Sequence, residues 1–174
     1  FSSLEAVSEQ YTNPMSRNRD GICIGEGAAL FLVSKEEGPV ELLGVGESSD
    51  AHHISAPDPE GSGAETSMRE ALREGGVEPE AVHYINLHGT GTPLNDLMES
   101  RAIHRLFGDQ IPCSSTKSFH GHTLGAAGAV EAAICWSVCA NPAPQVPLPR
   151  HLWDGIRDPE LPELHLVDEQ EEIP

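Results

Sequence analysis

Lysine is nearly absent from this sequence: Lys35 and Lys117 stand against eight arginines. Long apolar runs are also missing, since no stretch approaches the roughly 20 consecutive apolar residues of a membrane-spanning helix. Positive charge is heavily outweighed, with 10 basic residues against 28 acidic ones and a net charge of −18. Such a surface does not bind a nucleic-acid backbone, and it repels an acidic partner unless arginines gather into a local patch. The four cysteines (Cys23, Cys113, Cys135, Cys139) include no C-x-x-C pair. They read as reduced, buried thiols of a cytoplasmic protein. Neither end carries a recognisable terminus: the chain starts at Phe1 with no signal-peptide pattern and closes on an acidic stretch ending in Pro174. It is expected to be cut at both ends.

What remains is 174 residues at 38% apolar content, enough for one domain with a core. Helical spacing of Leu4, Val7 and Tyr11 predicts a helix over residues 1–11, and Asn13-Pro14 to Asp20-Gly21 reads as a loop. Two apolar segments, 22–33 and 40–46, are separated by Glu37-Gly38-Pro39 and are expected to pair as a hairpin. An amphipathic helix follows over 64–74, stopped by Gly75-Gly76, and 82–87 alternates like a strand. Asp96 and Glu99 have capping-box spacing at the head of a helix reaching Phe107, with Gly108 as its cap. A short strand over 111–115 leads to an Ala-rich, almost uncharged segment over 124–140 that predicts a buried helix. Four prolines between 141 and 149 require an extended exit. Alternation of strands and helices places the chain in the α/β class.

Chemistry concentrates in two stretches, N-L-H-G-T-G-T-P (86–93) and K-S-F-H-G-H-T-L-G-A-A-G (117–128). His88 closes a strand beside glycine, which fits either a structural histidine or a displayed reactive one. Thr90 and Thr92 offer hydroxyls beside exposed backbone, suited to an amide-rich or phosphate-bearing arm. Lys117, in a chain that otherwise uses arginine, heads a Gly/His loop as a point charge or as a plain surface lysine. His122 stands before the Ala/Gly helix, where backbone N–H groups and a nearby cation favour a neutral ring that donates to an oxyanion. Glu99 serves equally well as capping-box acid or as charge partner for Lys117. A zinc set from Cys113, His88, His120 and His122 is disfavoured by its spacing. Adjacent His52 and His53 point to opposite faces of an extended segment and make a poor metal pair. Neither G-A-A-G nor Gly25-Glu26-Gly27 has the context of a nucleotide loop.

Taken in order, R-D-G-I-C-I-G-E-G-A, S-S-D-A-H-H-I-S-A-P-D-P-E-G, N-L-H-G-T-G-T-P-L-N-D and K-S-F-H-G-H-T-L-G-A-A-G-A-V-E-A resemble the C-terminal half of β-ketoacyl-[acyl carrier protein] synthases. The resemblance implies the C-terminal half of a thiolase-like layered αβαβα fold over residues 1–152. An acidic tail, 153–174, would lead toward the last part of that fold. It further implies decarboxylative Claisen condensation of malonyl-carrier protein with an acyl thioester, in fatty acid or polyketide synthesis. His88 and His122 match the two catalytic histidines, Lys117 the motif lysine, Glu99 its acidic partner, and Thr90 and Thr92 the grip on the phosphopantetheine arm. Asn86 and Glu131 match positions that bind a structural monovalent cation in some members. No cofactor is implied beyond the phosphopantetheine of acyl carrier protein, the expected partner, and the intact enzyme is expected to be a homodimer. None of the four cysteines matches the family's nucleophile, and its Gly-Phe-Gly-Gly loop is absent, so the chain alone is predicted to be inactive. Met15 and Ser16 stand where the family usually has Phe and Asp. The alternative implied by the same resemblance is a non-catalytic, chain-length-factor-like partner subunit.

Overall fold

The computed structural model describes residues 7–168 and 171–173. In chain order its elements are α1 (Ser62–Gly75), β1 (Ile85–Asn86), α2 (Pro93–Phe107), β2 (Pro112–Ser114), α3 (Lys117–His120), α4 (Ala127–Cys139), β3 (Val146–Pro147), β4 (His165–Leu166) and β5 (Glu172–Ile173). Parallel strands in the order β1-β2-β4 form the central sheet, with Ile85 opposite Cys113, Asn86 opposite Ser114 and Cys113 opposite Leu166. β3 and β5 form a separate antiparallel pair. Parallel neighbours need crossovers, and α2 supplies the one between β1 and β2. The core sits where this sheet meets the helices: Met15, Leu87, Ile103, Cys113 and Leu164 are buried together, with Met68, Ile85 and Phe107 packed against them.

Several elements follow from local chemistry. Gly61 and Gly76 flank α1 in the left-handed region (φ 66° and 62°), and the Gly76 N–H caps the helix on the Arg73 carbonyl. Arg101 and Arg105 of α2 reach Glu60 and Glu65, so charged pairs tie α1 to α2 along their exposed side. The proline-rich exit bends at 143–145 and then becomes β3.

Other expectations are corrected. The residues of the first predicted helix that lie among the described ones, 7–11, are not helical: Val7 bridges Ile22, and the Ser8 N–H donates to the Ile22 carbonyl at 2.9 Å. Leu4 lies outside the described residues. The hairpin of 22–33 with 40–46 does not form. Only Ile22 and Ile24 make isolated bridges, and Leu30 and Leu32 are each 98% exposed. Apolar composition marked the segment as strand-like, but a strand exists only through a partner, and none faces it among the described residues. Residues 44–46 instead lie on α1, with the Val45 N–H donating to Glu74. A Cβ at Gly44 or Gly46 would run into helix carbonyls. The predicted buried helix also differs: in α4 only Ala127 is buried, and Trp136 remains 43% exposed. Of the four free cysteines only Cys113 is buried. Within the acidic segment from 153 onward, β4 completes the central sheet and Leu164 joins the core.

The capping box is replaced by a different arrangement. Pro93, with its backbone angle preset, starts α2 four residues earlier than the sequence spacing suggested, behind Thr92. Asp96 therefore sits inside the helix, fully buried, and its two oxygens accept the Met15 and Gly91 N–H groups at 2.8 and 3.2 Å. The first of these holds Met15 at φ 61°, a left-handed value unusual for a side chain of that size. Ser16, also buried, donates to Asp154 at 2.8 Å. Met15 and Ser16, the departures from the family pattern, are thus packed and hydrogen-bonded.

Burial pushes the Asp96 carboxyl from 3.8 up to about 6, against the pull of the Met15 N–H. A carboxyl whose pKa is raised by folding stabilises the fold below its unfolded pKa and loses that contribution as the pH rises through the folded value. Between about pH 4 and about pH 7, the stability difference between Asp96→Asn and the parent, measured by urea denaturation, should move by roughly 2 kcal/mol in the variant's favour. A difference that stays flat across that interval would show that the two backbone donors hold the ionised form at no cost.

Candidate active site

β1 delivers its last residues to a loop whose backbone groups are almost all engaged. Leu87 is fully buried and donates its N–H to the Ser114 carbonyl at 2.9 Å, so the next residue, His88, emerges at the sheet's C-terminal edge. Glu99 of α2 accepts the N–H groups of His88 and Gly89 at 2.6 and 2.7 Å. Its carboxylate clamps the loop rather than capping the helix. Ser115 donates to the Gly89 carbonyl at 2.8 Å, and Gly21 donates to that of Gly91 at 2.9 Å. Gly89 and Gly91 both have positive φ (37° and 71°), and a Cβ on Gly89 would strike Ser115. Thr90 and Thr92 share a hydrogen bond between their hydroxyls at 2.8 Å.

Lys117 is the largest fully buried side chain among the described residues. Its ammonium donates to the His88 carbonyl and to Glu131, and it lies 3.3 Å from His88 Nδ1. Glu131, from the second turn of α4, is therefore the partner that the resemblance assigned to Glu99. Burial opposes the charge on Glu131, but His88 and Lys117 beside it hold the carboxyl below its ordinary range. The sequence carried a signal for this pairing: Glu131 is the one ionisable carboxylate between 118 and 140. A lone acid in an apolar helix needs a reason to be there.

His122 reaches the same place by another route. Cys23 and Gly25 exchange hydrogen bonds with it: the His122 N–H donates to the Cys23 carbonyl at 2.7 Å, and the Gly25 N–H donates to the His122 carbonyl at 3.0 Å. This approach requires glycine on both sides, because a Cβ at Gly25 would collide with the His120 carbonyl and one at Gly121 with the backbone of 23–25. Leu124, held at φ 52°, turns its N–H back onto His122 Nδ1 at 3.2 Å. The rings of His88 and His122 then meet edge to face, with centroids 5.1 Å apart.

The hydrogen bonds decide the tautomers. An ammonium and an amide N–H can only donate, so Nδ1 of His88 and Nδ1 of His122 both accept and both rings carry their proton on Nε2. Burial, then Lys117, then His88 push the His122 ring down to about 4, so it is neutral at ordinary pH. Burial is the largest cause and the Lys117 cation, expected from the sequence, the second; the expected helix N-terminus contributes little, since the ring stands ahead of the short turn Leu124–Ala126 rather than on a helix end. Two imidazoles that present Nε2–H groups side by side suit an oxygen that gains negative charge.

The remaining candidates are placed as follows. His120 spends both nitrogens locally, on Thr116 and on the Gly121 carbonyl, and Cys113 donates to the His165 carbonyl. No group of three or more His, Cys, Asp or Glu among the described residues could hold a metal ion. Asn86 donates its amide to the Tyr84 hydroxyl at 3.0 Å and leaves Oδ1 buried without a partner. A buried oxygen of this kind can take a monovalent cation; Glu131, the other position matched to such a site, gives its Oε1 to Lys117.

Gly25→Ala should displace the 121–123 loop and cost about 1–3 kcal/mol. Faster amide hydrogen exchange at His122 would report it, while Gly125→Ala, where a Cβ meets nothing within 4 Å, leaves the exchange unchanged. Glu131→Ala should cost more, about 3 kcal/mol or above, because it strands a buried ammonium. A loss no larger than that of Arg73→Ala, which breaks an exposed pair, would mean that Lys117 is satisfied without Glu131.

Residues 40–141 match the family described as "Beta-ketoacyl synthase, C-terminal domain". The 3-oxoacyl-[acyl-carrier-protein] synthase 2 of Coxiella burnetii is 44% identical over 77% of this chain and 36% of its own length. That of Staphylococcus aureus is 40% identical over 76% of this chain and 37% of its length. The chain thus spans little more than a third of these relatives. Among solved structures, a chain of the complex between the ketosynthase ApeO and its chain length factor ApeC from Xenorhabdus doucetiae superposes with a TM-score of 0.87 at 44% identity, over 100% of this chain and 43% of the other. A type II acyl-carrier protein in complex with its ketosynthase gives 0.78 at 27% identity, over 97% of this chain and 45% of the other. With its parallel sheet, crossover helix and paired histidines, the chain has the C-terminal part of the thiolase-like layered fold and belongs to the β-ketoacyl synthase family.

Proposed function

We propose that this chain supplies the decarboxylating half of a condensing site in a 3-oxoacyl-[acyl carrier protein] synthase. The observation that carries the reading is the His88–His122 pair, with both rings in the tautomer that presents Nε2–H. A malonyl thioester whose carbonyl oxygen accepts these two N–H groups loses carbon dioxide more readily. The electron pair of the breaking C–C bond becomes an enolate, and the developing oxygen charge is met by fixed donors. The enolate carbon then attacks an acyl thioester held on a cysteine from the rest of the intact protein, and that thiolate leaves. Lys117, buried against His88, keeps the ring oriented and its Nδ1 unprotonated. Thr90 and Thr92 grip the phosphopantetheine arm of the carrier protein. No other cofactor enters.

In this reading the intact enzyme is a dimer that docks acyl carrier protein through arginines, since the chain's charge of −18 repels an acidic carrier. The likeness to a ketosynthase solved with its chain length factor supports a heterodimer as a second arrangement. In its alternative form this chain is the non-catalytic member. The residue at the nucleophile turn of the full-length protein separates the two: cysteine marks the enzyme, glutamine the partner subunit.

In the full-length protein, His88→Ala should lower carbon dioxide release from malonyl-carrier protein by at least about a hundredfold. Transfer of an acyl group to the cysteine should remain largely intact. Equal loss of both steps would assign His88 a structural role. The chain of 174 residues by itself should form no ketoacyl product, and robust product without added polypeptide would overturn the half-site reading.

A further inference from the structure

One buried histidine takes no part in the chemistry above. His151 is 2% exposed and lies in the segment between β3 and β4, far in sequence from both histidine motifs. Its N–H donates to the Val167 carbonyl at 2.9 Å, which anchors it beside the central sheet. The ring spans two other segments: the Ser115 N–H donates to Nδ1 at 3.0 Å, and Nε2 donates to the Pro14 carbonyl at 3.0 Å. With an N–H donor on Nδ1 the proton is fixed on Nε2, so the ring is a neutral, directional bridge. Burial reinforces this by pushing its pKa down to about 4.

The partner on the Nδ1 side matters most. Ser115 is fully buried, donates its hydroxyl to the Gly89 carbonyl at 2.8 Å, and stands two residues before Lys117, whose N–H approaches the same hydroxyl at 3.4 Å. Ser115 thereby joins the two site stretches, the one that follows His88 and the one that opens with Lys117. Trp153 packs edge-on against the His151 ring, with centroids 5.7 Å apart, and holds its plane.

We infer that His151 is a positioning residue for the condensing site, acting through the Ser115 backbone to set Gly89 and Lys117, and so the orientation of His88. The inference rests on the function proposed above. A strut of this kind changes the rate of chemistry more than the binding of substrate, because a displaced His88 ring misses the developing oxyanion while the arm contacts persist.

Two substitutions separate the strut from simple core packing. In the full-length protein, His151→Asn places an amide oxygen near the position of Nδ1 and retains the acceptor for Ser115, whereas His151→Gln places its amide nitrogen near Nε2 and retains only the bond to Pro14. Each loses the ring and one hydrogen bond, so thermal stability should fall similarly. Decarboxylation of malonyl-carrier protein should stay within about threefold of the parent in the Asn variant and fall on the order of tenfold in kcat in the Gln variant, with KM little changed. Equal rates in the two variants, a change confined to KM, or loss of folding in both would overturn the inference. A parent protein that releases no carbon dioxide would instead overturn the functional reading beneath it.

Discussion

A buried ammonium organises this molecule. Lys117 has no exposed side-chain surface, and taking such a charge out of water costs several kcal/mol unless partners replace the water. The replacements come from opposite sides: the His88 carbonyl and ring nitrogen at the end of β1, and the Glu131 carboxylate on α4. Satisfying the charge therefore brings α4 toward the sheet edge and holds His88 against the lysine. The same requirement settles the chemistry of His88, because an ammonium beside Nδ1 leaves the proton only on Nε2. One electrostatic need thus fixes packing, ring orientation and tautomer together.

α2 contributes a second set of constraints. Asp96 and Glu99, on successive parts of the helix, accept backbone N–H groups from Met15, His88, Gly89 and Gly91. Loop backbone normally satisfies such groups with water and moves freely. Here carboxylates do it, and the loops become part of the rigid frame. Glycine is required where segments touch: Gly89 against Ser115, and Gly25 with Gly121 beneath the His122 loop. Met15, in a left-handed conformation on Asp96, shows the cost accepted at one of these contacts.

The apolar surfaces stand in contrast to that tight polar frame. Leu30, Leu32, Val33 and Leu42 are exposed, as is Trp136 on α4, although their composition is that of interior strands and a buried helix. Curated relatives are nearly three times as long as the stretch this chain matches, the match covering 36% of the Coxiella burnetii synthase. The core that the described residues do form is small and gathers Ile103 of α2, Cys113 of β2 and Leu164 with Met15 and Leu87.

Much of the site was legible in the residues themselves. His88, His122, Lys117, Thr90 and Thr92 stand in two short motifs whose glycines announce close backbone approach, and the structure brings the two histidines and the lysine together. The helices over 62–75 and 93–107 and the strands near 85 and 113 were also readable, since amphipathic spacing and cap glycines are local properties. Pairing was not local. Glu99 was the expected partner of Lys117 and Glu131 only a cation ligand, until the fold placed Glu99 under the His88 backbone and Glu131 beside the ammonium. The hairpin was not legible, since strand composition says nothing about which backbone will face it. Neither was the place of His151, whose ring bonds residues 36 and 137 positions away. The sequence by itself determined which groups can donate, accept or carry charge. Only the tertiary structure decided which of them meet, because burial makes each unpaired charge or N–H costly and so selects one set of partners.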